Sequence, residues 1–528
     1  MSGTDWTHIA RNMRREARFG DRVVPCFPNR ARNLWAMAAA SAARNPDGEA
    51  LVAGERRLTW RQTEEIARQY AANFRRIGLQ AGDRIALLVG NRLEFVLALY
   101  GAAYIGAIVV PLSTRQQKPE VAYCVNDCGA AALLYDEELA DRLPPDAETP
   151  TLRARICADR ITAFLQDGAE AGAPHEAHEE DTALILYTSG TTGRPKGAML
   201  SNCNIVHSSM VFEACMELTA ADRCIAVVPL AHVTGVIANI TAMAQCAGAL
   251  VIVPEFKAAH FLAVAAAERA TMTVMAPAMY NLCLLQADFA AYDLSAWRIG
   301  GYGGAPMPTA TIQRLAERLP NLGLINAYGS TETTSPSTVM PPALTPGHND
   351  SVGLPCPGAT IIAMDDDGRE APAGEVGELW IRSGSVIKGY WRNDAATKES
   401  FLAGFWKSGD LGSVDAQGFV RVFDRKKDMI NRGGLKIYSA EVESVLAGHP
   451  DVLEIAIVAK PCPVLGERVH AVVTPRASDF DPQALRAWAA ERLSDYKVPE
   501  TITVLAEPLP RNANGKVMKR QLREAIAK

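Results

Sequence analysis

The stretch Tyr187-Thr188-Ser189-Gly190-Thr191-Thr192-Gly193-Arg194-Pro195-Lys196-Gly197 decides how this 528-residue chain is read. It follows the short apolar run Ala183-Leu184-Ile185-Leu186, whose length and bounding turn residues predict a strand. Four hydroxyls stand among three glycines, and glycine lets backbone amides approach an anion closely and permits positive φ. Lys196 adds a point charge, and Pro195 stiffens the turn just before it. A lone Gly-Thr-Thr-Gly would read as a solvated turn. This many such residues directly after a strand read as a phosphate loop. Walker spacing is not met, because Arg194 and Pro195 occupy the positions just before the lysine. The loop is therefore a nucleotide loop of another kind.

Four more segments carry chemistry. Asn326-Ala327-Tyr328-Gly329-Ser330-Thr331-Glu332 follows the apolar Gly323-Leu324-Ile325. It offers a ring that can stack on a base and a carboxylate suited to Mg²⁺ on phosphate oxygens, though an ordinary strand-to-turn segment has the same composition. Lys407-Ser408-Gly409-Asp410-Leu411-Gly412 presents Asp410 on a tight turn, fit for ribose hydroxyls or for an Asx turn. Phe423-Asp424-Arg425-Lys426-Lys427-Asp428-Met429-Ile430 reads by itself as a solvated charge run. Pro510-Arg511-Asn512-Ala513-Asn514-Gly515-Lys516 is a turn-rich loop presenting one ammonium.

In this order and spacing, the five motifs resemble those of the adenylate-forming superfamily of acyl-CoA synthetases, aryl-CoA ligases, peptide-synthetase adenylation domains and beetle luciferases. The resemblance covers most of the chain. It implies an α/β fold: a large N-terminal domain of mostly parallel sheets with a β-barrel subdomain, residues 1–425. A small mobile α+β C-terminal domain, 426–528, would carry the catalytic lysine. It also implies an AMP-forming ligase that joins an acid to ATP as an acyl-adenylate and passes the acyl group to coenzyme A. By that resemblance Thr188, Ser189, Gly190, Thr191, Thr192 and Lys196 meet the outer phosphates of ATP. Gly304, Ala305, Pro306, Asn326, Ala327, Tyr328 and Gly329 complete the nucleotide site, with Tyr328 stacked on adenine. Thr331 contacts phosphate, Glu332 holds Mg²⁺, and Asp410 and Arg425 take the ribose. Lys427 is the hinge, and Lys516 reaches the reacting carboxylate and α-phosphate. Gly433 and Gly434 would let pantetheine approach, or form a plain hairpin turn. Asn431 departs from the lysine that plant coumarate ligases carry, which puts a side-chain contact to the acyl-adenylate there in doubt.

The same resemblance makes His232 the gate of the acid pocket. Val233, Thr234, Ile237, Ala238, Tyr302 and Gly303 would line that pocket, with Gly304 and Ala327. None of these is Arg or Lys, so a second carboxylate on the substrate would be costly to bury. The expected acid is an apolar monocarboxylate, fatty or aryl. No acidic residue stands in Pro229–Gly235 to meet an α-amine, so amino-acid activation is disfavoured. A stand-alone CoA ligase is expected, with a carrier-protein or luciferase-like oxidative second step as the alternative.

Bulk properties agree. A formal charge of −5 argues against a nucleic-acid surface. The eleven cysteines form no CxxC pair and read as reduced structural thiols, which fits a cytoplasmic compartment. No signal core or targeting tail is apparent. Phe95 to Leu112 is uncharged over membrane-helix length, but Gly101, Gly106 and Pro111 interrupt it. It is read as a buried helix, a turn and a core strand. The partners expected are a small carboxylic acid, ATP and CoA, with no nucleic acid and no transmembrane segment, and a homodimer is left open.

Overall fold

The uncharged run at Phe95 folds as the helix Leu93–Ile105, closed by Gly106 at φ 74°, and the strand Ile108–Pro111. The helix is apolar all round because it is covered all round, and it packs on the helix Trp60–Arg76. The two backbones meet at Gly101, where a Cβ would lie 2.5 Å from that of Tyr70. Among the described residues no helix is long and apolar enough to cross a membrane.

The computed structural model describes residues 6–165, 170–188, 194–512 and 516–526. Contacts divide the chain into two units: Met1–Ile361 with Ile381–Lys407, and Ile362–Trp380 with Ser408–Lys528. The strand Phe405–Val414 and the strand Val420–Arg425 are one hairpin, and their ladder holds Asp410 to Arg425.

The first unit contains two large sheets. One runs Lys196–Ser201, Thr182–Thr188, Ile108–Pro111, Arg84–Leu88, Ala132–Tyr135, Ala154–Cys157, and is parallel except for its first pair. The other places Gly323–Tyr328, Ile299–Tyr302, Met272–Met275, Arg223–Ala226, Ala249–Ile252 and Glu49–Ala53 side by side in parallel, with antiparallel strands at both edges. Parallel strands are covered on both faces, which is why they read as unbroken apolar runs. The run Ala226-Val227-Val228 proves to be the end of a strand: the ladder occupies Arg223–Ala226 and the valines lead out of it. In the second unit the helix Pro482–Ala490 ends three residues before Leu493. Leu493 lies beyond it, half-buried against the core of the second unit.

That second unit has the mixed sheet Leu435–Ile437, Ile430–Arg432, Gly466–Pro475, Val452–Cys462, with Thr501–Val504 parallel to Gly466–Pro475. Helices Ser439–Leu446 and Pro482–Ala490 bury Val442, Leu446, Leu485 and Ala489 against Ile457 and Val469. Each fully buried aliphatic side chain of this kind stabilises by roughly 1.5–3 kcal/mol.

Candidate active site

In the first unit the motif loops leave the carboxyl ends of strands, the edge at which open α/β sheets bind ligands. Thr188 ends one strand and Lys196 opens the next, and the two are paired across the antiparallel ladder. The ladder thus fixes Thr188 opposite Lys196. Ser189, Gly190, Thr191 and Thr192 lie outside the described residues. Tyr123 donates to the Pro195 carbonyl at 3.0 Å, which secures the descending arm.

The strand Gly323–Tyr328 delivers the second motif. Asn326 pairs with Tyr302 in the parallel ladder, and Tyr328 is half-buried at the strand end. A Cβ on Gly303 would stand 2.4 Å from the Ala327 carbonyl, so the neighbouring strand admits only glycine there. Gly304 has φ 78° with open space above it, and Ala305 and Pro306 are exposed beside it. Beyond Tyr328, Gly329 runs close under Ser335–Ser337. Thr331 and Glu332 then form a single helical turn.

Glu332 is the focus of these loops. Its Oε1 accepts from the Tyr390 hydroxyl at 3.0 Å and lies 3.5 Å from Thr188 Oγ1, and its Oε2 accepts from Ser330 Oγ at 3.1 Å. The Lys196 ammonium sits over the Tyr390 ring, 5.2 Å from its centroid. A carboxylate ringed by hydroxyls is a hard oxygen donor set of the sort Mg²⁺ takes, through one carboxylate plus substrate phosphates. The residues fit that ion. Among the described residues no group of three or more His, Cys, Asp and Glu offers an all-protein cage.

His232, Val233 and Thr234 are half-buried at the start of the π-helical stretch Thr234–Thr241. Such stretches are uncommon and cluster at functional sites. Ile237 and Ala238 on it are wholly buried in the main core cluster. Tyr302 packs in a second cluster with Tyr280 and Trp297, and burial lifts its hydroxyl pKa to about 12.

The second unit carries the remaining motifs. Asp410 is buried, and its Oδ1 pairs with Arg425 Nε at 2.7 Å. Arg425 Nη1 also donates to the Ser408 carbonyl at 3.3 Å. After Arg425 the chain turns, with Asp428 N and Met429 N both donating to the Arg425 carbonyl. Lys427 is exposed in this turn. Burial, then the neighbouring Arg425 and Arg523, hold its pKa below that of an ordinary lysine against the opposing pull of Asp428. The Gly433-Gly434 pair closes the hairpin between Ile430–Arg432 and Leu435–Ile437 with φ 59° and 92°. Positive φ at both loop positions is the geometry of a tight two-residue hairpin. Asn431 Oδ1 accepts from Gly434 N at 3.0 Å, so this side chain braces the glycine turn.

Lys516 is held by a small ladder: its N donates to Asn512 Oδ1 and its carbonyl accepts from Asn512 N, both at 2.9 Å. The residue as a whole is exposed, yet its ammonium lies where crowding matters. Burial first, then Arg425 and Lys427, lower its pKa, while Asp410 and Asp428 oppose them. The helix Lys519–Ile526 that follows is tied down at two points. Lys519 Nζ reaches Ser439 Oγ and Glu443 Oε1, both at 2.6 Å, and Arg523 pairs with Asp428 at 2.8 Å. Asp424, just before the turn, accepts from the backbone N and the hydroxyl of Ser439.

The family model described as AMP-binding enzyme matches residues 38–391, and that described as AMP-binding enzyme C-terminal domain matches residues 441–516. The chain belongs to the AMP-binding enzymes. This AMP-binding enzyme is 32% identical to the long-chain-fatty-acid–CoA ligase FadD13 of Mycobacterium tuberculosis, over 89% of this chain and 93% of that protein. It is also 32% identical to the feruloyl-CoA synthase of an Amycolatopsis species, over 91% and 96%. Among solved structures it resembles the o-succinylbenzoate CoA synthetase MenE of Bacillus subtilis. With the acyl-adenylate intermediate bound, that structure gives TM-score 0.85 at 27% identity, covering 93% and 98% of the two chains. With ATP and magnesium ion it gives 0.84 at 28%, covering 92% and 98%.

Motif reading of this AMP-binding enzyme pointed to Glu332 and Lys196 but missed Tyr390, which touches both. The signal in the sequence is slight: Gly389-Tyr390-Trp391 is an aromatic pair after a glycine, with no motif chemistry of its own. Ser330 stood within a quoted motif without a role, and Lys519 and Arg523 lie beyond the last motif.

Proposed function

We propose that this AMP-forming acid–CoA ligase activates an apolar monocarboxylic acid, fatty or aryl, with ATP, Mg²⁺ and CoA as its cofactors and co-substrate. The observation that carries the reading is the convergence on Glu332 of Thr188, Ser330 and Tyr390, with Lys196 over the tyrosine ring. Attack of a carboxylate on the α-phosphate crowds negative charge at one centre, and such charge is met by preorganised cations and donors. Lys196 and the amides of its loop would take the outer phosphates, and Glu332 with Thr188 would hold the metal. Mg²⁺, when bound, neutralises phosphate oxygens as a Lewis acid. Tyr328, Asn326 and Gly304–Pro306 would seat the adenine, Thr331 a phosphate oxygen, and Asp410 with Arg425 the ribose. Lys516 would bring its ammonium to the reacting carboxylate.

For the acid, the half-buried Val233 and Thr234 beside His232, with Gly303 and Tyr302, support a pocket without a cation, and Ile237 and Ala238 form the packed layer behind them. For the second step we propose the domain division 1–425 and 426–528. Lys427 would be its hinge and the Gly433-Gly434 turn the place where pantetheine passes, supported by the exposure of Lys426 and Lys427 and the open face of Gly434. A reducing, cytoplasmic compartment is supported by ten buried thiols among the eleven cysteines. The homodimer left open by the sequence is tested by light scattering of the purified chain.

The deciding experiment is pyrophosphate release with ATP, Mg²⁺ and a panel of aliphatic and aryl acids, with and without CoA. AMP formation accelerated by CoA supports the reading and names the acid class. Release indifferent to CoA moves the second step to another acceptor.

A further inference from the structure

Lys196 opens the strand Lys196–Ser201 of one sheet, and Glu332 follows the strand Gly323–Tyr328 of the other. No shared ladder fixes one against the other. A third segment does so. Ile387 N donates to the Glu332 carbonyl at 2.9 Å, Met199 N to the Gly389 carbonyl at 3.1 Å, and Trp391 N to the Gly197 carbonyl at 2.7 Å. Residues 387–391 are thereby laced to both functional elements.

Tyr390 stands within this segment, 5% exposed. Its backbone N donates to Thr397 Oγ1 at 3.0 Å, and Ala198 is its bridge partner. Its hydroxyl donates to Glu332 Oε1 at 3.0 Å, while its ring faces the Lys196 ammonium at 5.2 Å. The phenol has one proton, and the bond to Glu332 uses it.

We infer that Tyr390 is a positioning residue for adenylation: its hydroxyl orients the carboxylate that takes the metal, and its ring seats the lysine that takes the outer phosphates. The first effect is that of an outer hydrogen-bond partner on a metal ligand, which fixes the oxygen's direction before the ion arrives. The second is electrostatic. The ring face attracts the ammonium without carrying a compensating charge, so Lys196 keeps its full charge for phosphate. A carboxylate in the same place would hold Lys196 equally well and blunt it. The inference rests on the metal role proposed for Glu332.

The test is calorimetric binding of ATP to the full chain, with Mg²⁺ and with the metal chelated, alongside the Mg²⁺ dependence of pyrophosphate release. Tyr390→Phe keeps the ring and removes the donor. It is expected to weaken Mg²⁺–ATP binding about tenfold and raise the half-saturating Mg²⁺ to match, leaving metal-free ATP binding and the KM for acid unchanged. Tyr390→Leu removes the ring as well and is expected to weaken metal-free ATP binding too. Glu332→Gln separates the two layers of the argument. If it alters Mg²⁺ dependence while Tyr390→Phe binds Mg²⁺–ATP as the parent does, the role of Tyr390 is overturned. If Glu332→Gln leaves Mg²⁺ dependence untouched, the metal role of Glu332 falls and that of Tyr390 with it. A merely structural tyrosine would lower the melting temperature without separating binding with and without metal. Should Tyr390→Phe lose its cooperative melt, Tyr390→His, which keeps both a ring and a donor, is expected to bind Mg²⁺–ATP nearly as the parent does, and a loss as large as that of Glu332→Gln overturns the role.

Discussion

Asp410 and Arg425 face each other across the hairpin ladder and form a 2.7 Å ion pair whose carboxylate is buried. The two residues read separately from the sequence as ribose contacts are therefore one structural unit. Removing the arginine leaves a buried carboxylate uncompensated, a cost on the order of 1–2 kcal/mol once the partial exposure of Arg425 is allowed for. Arg425→Ala is expected to lower the melting temperature by several degrees and raise the KM for ATP about tenfold or more. Arg425→Lys should restore most of the stability and little of the ATP affinity, because a single ammonium cannot reproduce the guanidinium fork that also meets the Ser408 carbonyl. Thermal melts and pyrophosphate-release kinetics measure the two effects separately.

Lys516 is expected to act only in the first half-reaction. Lys516→Ala should slow acyl-adenylate formation by ~10²–10³-fold, the scale of losing one charged transition-state donor, and spare thioester formation from supplied acyl-adenylate. Equal loss of both would remove the assigned role. Because burial and two neighbouring cations lower its pKa, the ammonium is lost as pH rises through a value below that of an ordinary lysine. The kcat/KM for adenylation should accordingly fall on the alkaline side earlier than a solvated lysine would dictate. Lys516→Arg, protonated throughout, should carry that limb to higher pH.

A second carboxylate on the acid should be rejected. Adding a distal carboxylate to the best aliphatic acid of the panel is expected to lower kcat/KM at least ~100-fold, since the pocket residues offer it no cation. Comparable turnover of the two acids would show that a basic side chain reaches the pocket.

Acid should destabilise the first unit through a buried histidine. His207 is wholly buried, and burial, then Arg30 and Arg18, push its pKa down to about 4. Below pH 6.5 the unfolded chain takes up a proton that the folded chain refuses. The stability due to neutral His207 is thus complete above pH 6.5 and is lost as pH falls toward 4, by about 3 kcal/mol in all. His207→Asn should begin less stable but lose melting temperature less steeply between pH 6.5 and 5. His470 in the second unit, also lowered to about 4, sets a parallel slope there.

Fold and site were legible to different depths. The parallel sheets were expected from the resemblance, and their strands are apolar throughout because both faces are covered. Gly106 and Pro111 gave away the false membrane span by punctuating it. Boundaries were blurred where a run outlasts its ladder, as at Val227 and Val228. Glu332 and Lys196 were visible because loop chemistry is written in consecutive residues. Tyr390 was not, since its meaning comes from backbone bonds to residues far away in the chain. The ion pair of Asp410 and Arg425 was half-visible: both residues stood out, but only the register of the hairpin joins them.

Lys427→Pro is expected to leave acyl-adenylate formation largely intact and to block thioester formation. Lys427 is exposed, between the half-buried Arg425 and the buried Asp428. Proline fixes φ near −65° and restricts the residue before it, so a rotation about this point is denied while either flanking strand can persist. The bonds across the turn say what the rotation must release. Asp424, before it, accepts two bonds from Ser439, after it, and Ser439 in turn holds Lys519. By contrast Asp428 and Arg523 both lie after Lys427 and can travel together. In single-turnover assays of each half-reaction, the variant should therefore form adenylate at a rate near that of the parent and transfer it to CoA at least ~10-fold more slowly, the scale on which hinge changes affect gating steps. An unchanged thiolation rate would remove Lys427 from the hinge and return the Phe423–Ile430 segment to an ordinary charged turn.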